Sequence, residues 1–193
     1  MVRKTGNKYD NIIEAAVKII AQNGYHNSQV SKIAREAGVA DGTIYLYFQN
    51  KEDILISVFN NKMSQFINHI REKTEQIEEP LDKLKNLIRL HFSSLEADRN
   101  LALVTQIELR QSNPSIREAI SEIIRQYYIL IEDILKMGID KGVIKKDLDV
   151  KLARKMIFGS LDEVVTCWVL SKKQYKLTDS VDSLFLLLVN GLV

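Results

Sequence analysis

The sequence predicts an all-α fold. Apolar residues recur three and four positions apart through most of the chain, which is the period of a helix with one buried face. Only 8 glycines and 2 prolines occur in 193 residues, and the alternating β-branched segments typical of strands are scarce. Most glycines and prolines stand where the helical period stops, so they mark predicted helix ends.

Four helices are predicted in the N-terminal part. Gly24 ends the first helix and Gly38 the second, because glycine adopts the left-handed conformation at little cost. The predictions are a helix at 7–23, a short helix with Ser28 as its N-cap, a segment at 41–48, and a long helix from Lys51 with Asn50 as its N-cap.

Longer amphipathic helices follow. Gly138 and Gly142 are predicted to loosen the end of one of them, and residues 184–189 are so apolar that their helix must lie in the core or against another chain. Five such helices are predicted. The first starts at Pro80, the second spans 101–109, the third starts at Ser115, the fourth starts at Asp149, and the fifth runs from Thr178, a candidate N-cap, to the end.

The composition indicates a globular chain. It is 46% hydrophobic and 27% charged, which excludes a disordered or collagen-like protein. The single cysteine, Cys167, excludes a disulfide framework and a Cys-rich metal site, and its apolar helix predicts inert packing. Since neither a secretory signal nor a long apolar span is visible, we expect a soluble, cytoplasmic protein without a membrane partner.

Positive charge is concentrated at the N-terminal end. Residues 1–51 carry 7 Lys+Arg against 4 Asp+Glu, whereas the rest carries 20 against 21. A small basic domain beside a near-neutral one hints at a polyanionic partner, although ordinary surface scatter explains the same charges equally well. We predict two domains, residues 1–50 and 51–193, with the boundary at a helix junction.

The segment from Ser28 to Phe48 has the form of a helix-turn-helix. Gly38 provides the turn, the small Ala34 allows close approach, and Ile44 and Phe48 point inward at helical spacing. The second helix would enter the major groove of DNA, with hydroxyl groups donating to phosphate oxygens. A plain helical hairpin with aromatic residues in its core remains the alternative. The residues predicted to contact DNA are Ser28, Gln29, Ala40, Asp41, Gly42, Thr43, Tyr45, Leu46, Tyr47 and Lys51.

The same segment resembles the N-terminal DNA-binding signature of TetR-type bacterial regulators. The matching residues are Gly24-Tyr25, 28–34, 37–39, 42–45, Tyr47-Phe48 and Lys51-Glu52. Ala40 departs from the serine that is frequent there, and Asp41 is a candidate cap instead. The resemblance implies a homodimeric transcriptional repressor, not an enzyme, that binds operator DNA and is released by a small effector.

Three further segments resemble the fatty-acid-degradation repressors of bacilli: GTIYLYFQNKEDIL, LVTQIELRQSN and LARKMIFGSLDEVVTCW. This resemblance implies repression of fatty-acid degradation, relieved by long-chain acyl-CoA, with no other cofactor. An acyl chain needs an apolar slot, and the coenzyme A phosphates need cations. Candidate slot residues are Phe66, Ile70, Phe92, Leu95, Leu103, Ile107, Tyr128, Phe158 and Trp168, and candidate cations are Arg99, Arg110, Arg154 and Lys155.

Ordinary roles compete with these assignments. Aromatic and aliphatic residues at helical spacing usually form core, and the arginines are as well explained by pairing with acids such as Glu108 or Asp162. The last two helices are predicted to form a four-helix dimer interface, the alternative being interior helices of a monomer. The candidate dimer residues are Ile157, Leu161, Val164, Leu184, Leu187 and Leu188.

Other function classes find little support. The three histidines, His26, His69 and His91, lack metal-ligand spacing, and no phosphate-binding loop or nucleophile motif occurs. Two alternatives stay open beside the acyl-CoA-responsive repressor. One is a repressor that responds to another hydrophobic compound, a drug or a lipid, and the other is a helical protein–protein adaptor.

Overall fold

The computed structural model describes residues 6–192, which form nine α-helices and one 3-10 turn with no strand among them. The all-α prediction is confirmed. The elements are α1 Asn7–Asn23, α2 Val30–Glu36, α3 Asp41–Tyr47, α4 Lys51–Thr74, α5 Pro80–Ala97, α6 Arg99–Glu108, α7 Pro114–Asp140, α8 Val150–Leu170, the turn Leu177–Ser180 and α9 Val181–Leu192. The first five residues of the predicted N-terminal domain, and Val193 at the end of the predicted last helix, lie outside the described residues.

The predicted N-cap Asn50 is present, and Asp149, predicted as the first residue of a helix, is the N-cap of α8. The Asn50 carboxamide oxygen accepts from the Asp53 amide at 2.8 Å, and the Asp53 carboxylate accepts in turn from the Gln49 amide at 3.0 Å. Asp149 accepts from the Leu152 amide at 3.0 Å. These bonds satisfy amides that a helix start leaves without partners, so they fix where α4 and α8 begin.

Three other capping predictions are wrong. Gln29, not Ser28, holds the cap position of α2, and it makes no side-chain cap bond. Asp41 is the first residue of α3 and likewise does not cap it. Thr178 lies in the 3-10 turn, where its amide and hydroxyl donate to the Glu96 carboxylate at 2.8 and 3.1 Å.

The chain divides into two compact units. The first contains the residues up to Ser64 together with Asn100–Ile123, and the second contains Gln65–Arg99 and the chain from Ile124 onward. Helices α4 and α7 each contribute one part to each unit. The predicted division at Lys51 does not coincide with a boundary of these units, and it stays a prediction.

Each unit has its own apolar core. In the first, α1 packs against α2 and α2 packs against α3, and Ile12, Ile33 and Ile44 are at most 1% exposed. In the second, α5 packs against α8 and α9. Gly138 does not loosen α7 as predicted: it lies inside the helix, and a Cβ there would overlap the Ile144 side chain. Its lack of a side chain therefore allows close packing.

None of the helices in residues 6–192 has both the length and the apolar character needed to cross a bilayer.

Candidate nucleic-acid interface and effector site

The turn between α2 and α3 makes a helix-turn-helix. Gly38 has φ +67°, a left-handed conformation that side chains other than glycine's rarely accept. The Val39 amide donates to the Ala34 carbonyl oxygen at 3.0 Å, which reverses the chain within three residues. Ala34 and Ile44 are fully buried, so the two helices meet over small and aliphatic side chains.

Helix α3 presents large side chains to solvent. Ile44 and Phe48 are buried as predicted, whereas Tyr45 is 58% and Leu46 62% exposed. Apart from its two chain neighbours and the backbone of its own helix, nothing lies within 4 Å of the position that a Cβ of Gly42 would take. A short helix with a glycine in its first turn and an exposed tyrosine can enter a DNA groove and place its backbone near the phosphates of the duplex.

The structure separates the ten predicted DNA contacts into three groups. Exposed residues are Gln29, Ala40, Asp41, Gly42, Tyr45 and Leu46, half-buried ones are Thr43, Tyr47 and Lys51, and Ser28 alone among the ten is buried. The Ser28 hydroxyl lies 2.8 Å from the Gly24 carbonyl oxygen, to which it donates. Ser28 therefore closes the loop after α1 instead of facing a ligand, which corrects its predicted DNA contact.

Lys51 is partly engaged within the fold. Its ammonium donates to the His26 carbonyl oxygen at 2.7 Å and lies 4.7 Å from the centre of the Tyr25 ring. Burial lowers the pKa of Lys51, and the charge of Glu108 opposes this effect. The contacts hold the ammonium beside the helix-turn-helix, and the hydrogen bond to His26 uses one of its three N–H donors.

Sequence reasoning missed the role of Glu108. This carboxylate is 5% exposed, and it accepts from the Tyr25 amide at 3.0 Å and from the Gln111 side chain. From the sequence, arginine is the expected partner of this carboxylate. Its distance of 83 positions from Tyr25 explains why no local pattern pointed to the contact.

A cluster of rings occupies the second unit. His91 lies 5.4 Å from Phe66 and 5.6 Å from Tyr127 between ring centres, and Phe158 lies 6.1 Å from Tyr127 and 5.0 Å from Tyr128. We call these five residues the ring cluster. The His91 Nδ1 atom lies 2.9 Å from the Tyr127 hydroxyl. Ligand sites are lined in this way, mostly by apolar side chains with a few polar groups, so the ring cluster is a candidate site for a hydrophobic ligand.

The predicted slot residues are divided between the units. Phe66, Ile70, Phe92, Leu95, Tyr128, Phe158 and Trp168 belong to the second unit, and Leu103 and Ile107 belong to the first. Three of them, Phe66, Tyr128 and Phe158, are in the ring cluster. Ile107 is 51% exposed, whereas Ile70 and Phe92 are fully buried core residues in this structure.

The predicted phosphate-binding cations also differ in their surroundings. Arg154 lies 4.2 Å from the centre of the Tyr128 ring, with its Nε 3.3 Å from the Glu132 carboxylate. Arg99 covers the Trp168 ring at 4.7 Å and donates to the Val169 carbonyl oxygen at 2.8 Å. Arg110, in the first unit, donates to the carbonyl oxygen of Gln106 at 2.8 Å. Lys155 is exposed.

Helices α8 and α9 expose apolar residues. Leu152 and Met156 on α8 are 54% and 62% exposed, and Leu186 and Leu187 on α9 are 60% and 73% exposed. We call these four residues the apolar face. Ile157 and Leu161 are fully buried within the chain, so they support the face from beneath, which corrects their prediction as contact residues. Val164, Leu184 and Leu188 are half-buried.

Two further features concern alternative chemistry. A groove of ≈ 300 Å³ between the end of α4 and α7 is lined by Arg71 and Lys83, but also by Glu72, Glu75 and Asp133, so it does not favour phosphate. Within residues 6–192, no three His, Cys, Asp or Glu side chains form a group that could hold a metal ion. Cys167 is exposed, which corrects its predicted burial.

Residues 12–58 match the family of bacterial regulatory proteins named after TetR, and residues 59–191 match the C-terminal region of YsiA-like proteins. The chain belongs to the TetR family. Its helix-turn-helix lies within the first matched region, and the helices that follow α4, apart from the last residue of α9, lie within the second.

The relatives of this TetR-family chain are regulators. It is 55% identical over 185 residues to the fatty acid metabolism regulator protein of Bacillus subtilis, covering 96% of this chain and 95% of that one. The crystal structure of FadR from B. subtilis in complex with stearoyl-CoA superposes with a TM-score of 0.92, and the match covers 96% of this chain and 100% of that one. The structure of FadR from Bacillus halodurans, which is 52% identical, also superposes with a TM-score of 0.92. The match covers 96% of this chain and 100% of that one.

Proposed function

We propose that the chain is a cytoplasmic, homodimeric transcriptional repressor that binds operator DNA, is released by long-chain acyl-CoA, and so controls fatty-acid degradation. The observation that carries this proposal is the full-length likeness to the B. subtilis regulator, whose structure contains stearoyl-CoA. The proposal includes no membrane partner, because its two ligands are operator DNA and a long-chain acyl-CoA.

The helix-turn-helix supplies the DNA contact. Helix α3 would lie in the major groove with Gly42 and Thr43 nearest the bases, and Tyr45 and Leu46 would reach the groove walls. Tyr47 and Lys51 would donate to phosphate oxygens, which positions the helix without reading sequence. The exposure of Gln29, Ala40 and Asp41 supports their place in the same interface.

The apolar face supplies the dimer contact. Leucine and methionine side chains that are more than half exposed on two adjacent helices are costly in water, and a second copy would bury them. Helices α8 and α9 of both copies would form a four-helix interface with the same residues on each side. Two recognition helices are then held at a fixed separation, as successive half-sites of a duplex require.

The effector acts by choosing between dimer shapes. A ligand that binds the shape unable to bind DNA more tightly than the other lowers the population of the DNA-binding shape. The ring cluster is the proposed place of the acyl chain. Arg154 contacts the Tyr128 ring of this cluster, and Lys155 follows it on α8. Both are candidates for the coenzyme A phosphates, as are Arg99 and Arg110.

The function is tested in two steps. Duplexes are first selected from a random-sequence pool on the immobilised full-length chain, and fluorescence anisotropy then measures binding of the selected duplex. We expect stearoyl-CoA at micromolar concentration to release the duplex, and equal concentrations of coenzyme A or a hydrophobic drug not to do so. Release by the drug alone would favour the alternative effector, and selection of no duplex at low salt would favour a protein adaptor.

Lys51→Ala is expected to weaken binding to all duplexes about equally. A phosphate contact carries no sequence information, and its removal should reduce the slope of log affinity against log salt by about one. The control is Lys73→Ala, an exposed lysine at the other end of α4. A change in the selected sequence, with an unchanged salt slope, would contradict the phosphate contact.

A further inference from the structure

One buried side-chain nitrogen, His91 Nε2, has no hydrogen-bond partner among the described residues, and a second, Arg154 Nε, makes no hydrogen bond there but is ion-paired with Glu132 at 3.3 Å. Both lie beside the ring cluster. His91 belongs to it, and Arg154 lies over its outermost ring, Tyr128. A buried polar atom without a partner is costly, so each such atom needs an explanation.

The hydrogen-bond pattern at His91 defines which atom is free. The ring is 6% exposed, and burial lowers its pKa to about 4, so it is neutral at neutral pH. Burial raises the pKa of Tyr127, which keeps its phenolic proton. If that proton is donated to Nδ1, the phenol is satisfied and Nε2 carries the ring's N–H. The opposite arrangement would leave both the phenolic proton and Nε2 without partners, so we assign the first.

The free group is therefore an N–H donor that lies among aromatic rings. Phe66 and Phe92 lie 5.4 and 6.0 Å from the imidazole, between ring centres. An acceptor brought to this place must be attached to an apolar group. A carboxylate would be buried beside a neutral ring with no countercharge, which is far more costly than burying a neutral carbonyl.

We propose that the His91 Nε2–H donates a hydrogen bond to the thioester carbonyl oxygen of a bound acyl-CoA. The inference rests on the proposed effector. The thioester oxygen fits because it is neutral and is bonded to the carbon that begins the alkyl chain. Arg154, at the other end of the ring cluster, would then face the coenzyme A portion. The arrangement discriminates against free fatty acids, whose only oxygens are charged at neutral pH.

Calorimetric titration of the full-length chain tests the proposal with three ligands. These are stearoyl-CoA, its thioether analogue S-octadecyl-CoA, which lacks the carbonyl oxygen, and stearate. We expect stearoyl-CoA to bind about tenfold more tightly than the thioether, the loss typical of one unpaired buried donor. Equal binding of the two would overturn the role of His91, whereas failure of stearoyl-CoA to bind at all would overturn the proposed effector.

Variants connect the discrimination to His91. His91→Phe removes the donor and should bring the ratio of the two affinities close to one, and His91→Gln, which keeps an N–H, should restore part of it. His69→Phe, on an exposed histidine of α4, is the matched control and should keep the wild-type ratio. A wild-type ratio in His91→Phe would refute the assignment.

Proton NMR of the wild-type chain provides a test that needs no substitution. The Nε2–H resonance of the buried imidazole should move downfield when stearoyl-CoA is added, and it should not move in the same way with the thioether. Identical shifts with both ligands would contradict the hydrogen bond.

Discussion

Glu108 shows how one carboxylate can hold distant segments of the first unit together. It accepts from the Tyr25 amide at the start of the loop after α1, and its charge acts on Lys51 at the start of α4. Both residues flank the helix-turn-helix. A carboxylate that accepts hydrogen bonds while buried is stabilising only as long as its donors remain in place.

Glu108→Ala is therefore expected to lower the free energy of unfolding by about 1–3 kcal/mol, because the Tyr25 amide and the Gln111 side chain lose their acceptor. Urea denaturation measures this, and operator affinity should fall with it. Glu118→Ala, an exposed glutamate on α7, is the control and should change stability by less than about 0.5 kcal/mol. Equal losses in both variants would show that the Tyr25 contact contributes nothing.

A second prediction at the residue scale concerns His91 and the dependence of the free energy of unfolding on pH. Its pKa in the folded chain is about 4, below the usual 6.5, because burial disfavours the charged ring. Its contribution is present above pH 6.5 and is lost as pH falls toward 4, by about 3 kcal/mol in total. Urea titrations between pH 7 and 4 should show a smaller loss in His91→Phe than in the wild type. Equal losses would mean that His91 is already exposed to water.

These residues also show where sequence reasoning stops. The inward positions of Ile44 and Phe48 follow from helical spacing, and the sequence sufficed to predict them. Neither Glu108 nor His91 could be assigned in this way, because their partners lie 83 and 36 positions away. Ser28 was misassigned for a related reason: a serine before a helix is equally able to cap it or to close the preceding loop.

At the scale of the element, two glycines of the helix-turn-helix have opposite roles. Gly38→Ala should destabilise the fold by about 1–2 kcal/mol, because its φ of +67° is strained for alanine. Gly42→Ala should stabilise α3 by up to about 1 kcal/mol, because its surroundings are open and alanine favours a helix. Thermal denaturation of both variants measures this difference. The same loss of stability in both would contradict the assigned roles.

The helices themselves were predicted better than their ends. The bounds 7–23 of α1, the start of α4 at Lys51 and the start of α5 at Pro80 agree with the structure, since a cap, a glycine or a proline marks each. The 3-10 turn at Leu177–Ser180 carries no such mark. Its Thr178 looks like an N-cap in the sequence, but it is held by Glu96 on α5, a tertiary contact.

At the scale of the whole molecule, the proposed function needs two copies of the chain. One helix-turn-helix contacts a single half-site, and specific binding by this kind of element depends on a second half-site at fixed spacing. The sequence indicated an interface on the last two helices, but it could not tell which residues face outward. Leu187 is 73% exposed, while Leu161, also a predicted contact residue, is fully buried, and only the packing of α8 and α9 against their neighbours decides this.

Leu187→Glu is expected to convert the dimer into a monomer, because the interface would bury a carboxylate without a partner on each side of its two-fold axis. Sedimentation velocity at micromolar concentration measures the oligomeric state, and anisotropy should show a loss of operator affinity of at least about tenfold. Ile129→Glu, on a 43% exposed isoleucine of α7, adds the same charge elsewhere and should leave a dimer. A dimeric Leu187→Glu variant that still binds the operator would show that the two copies meet through another surface.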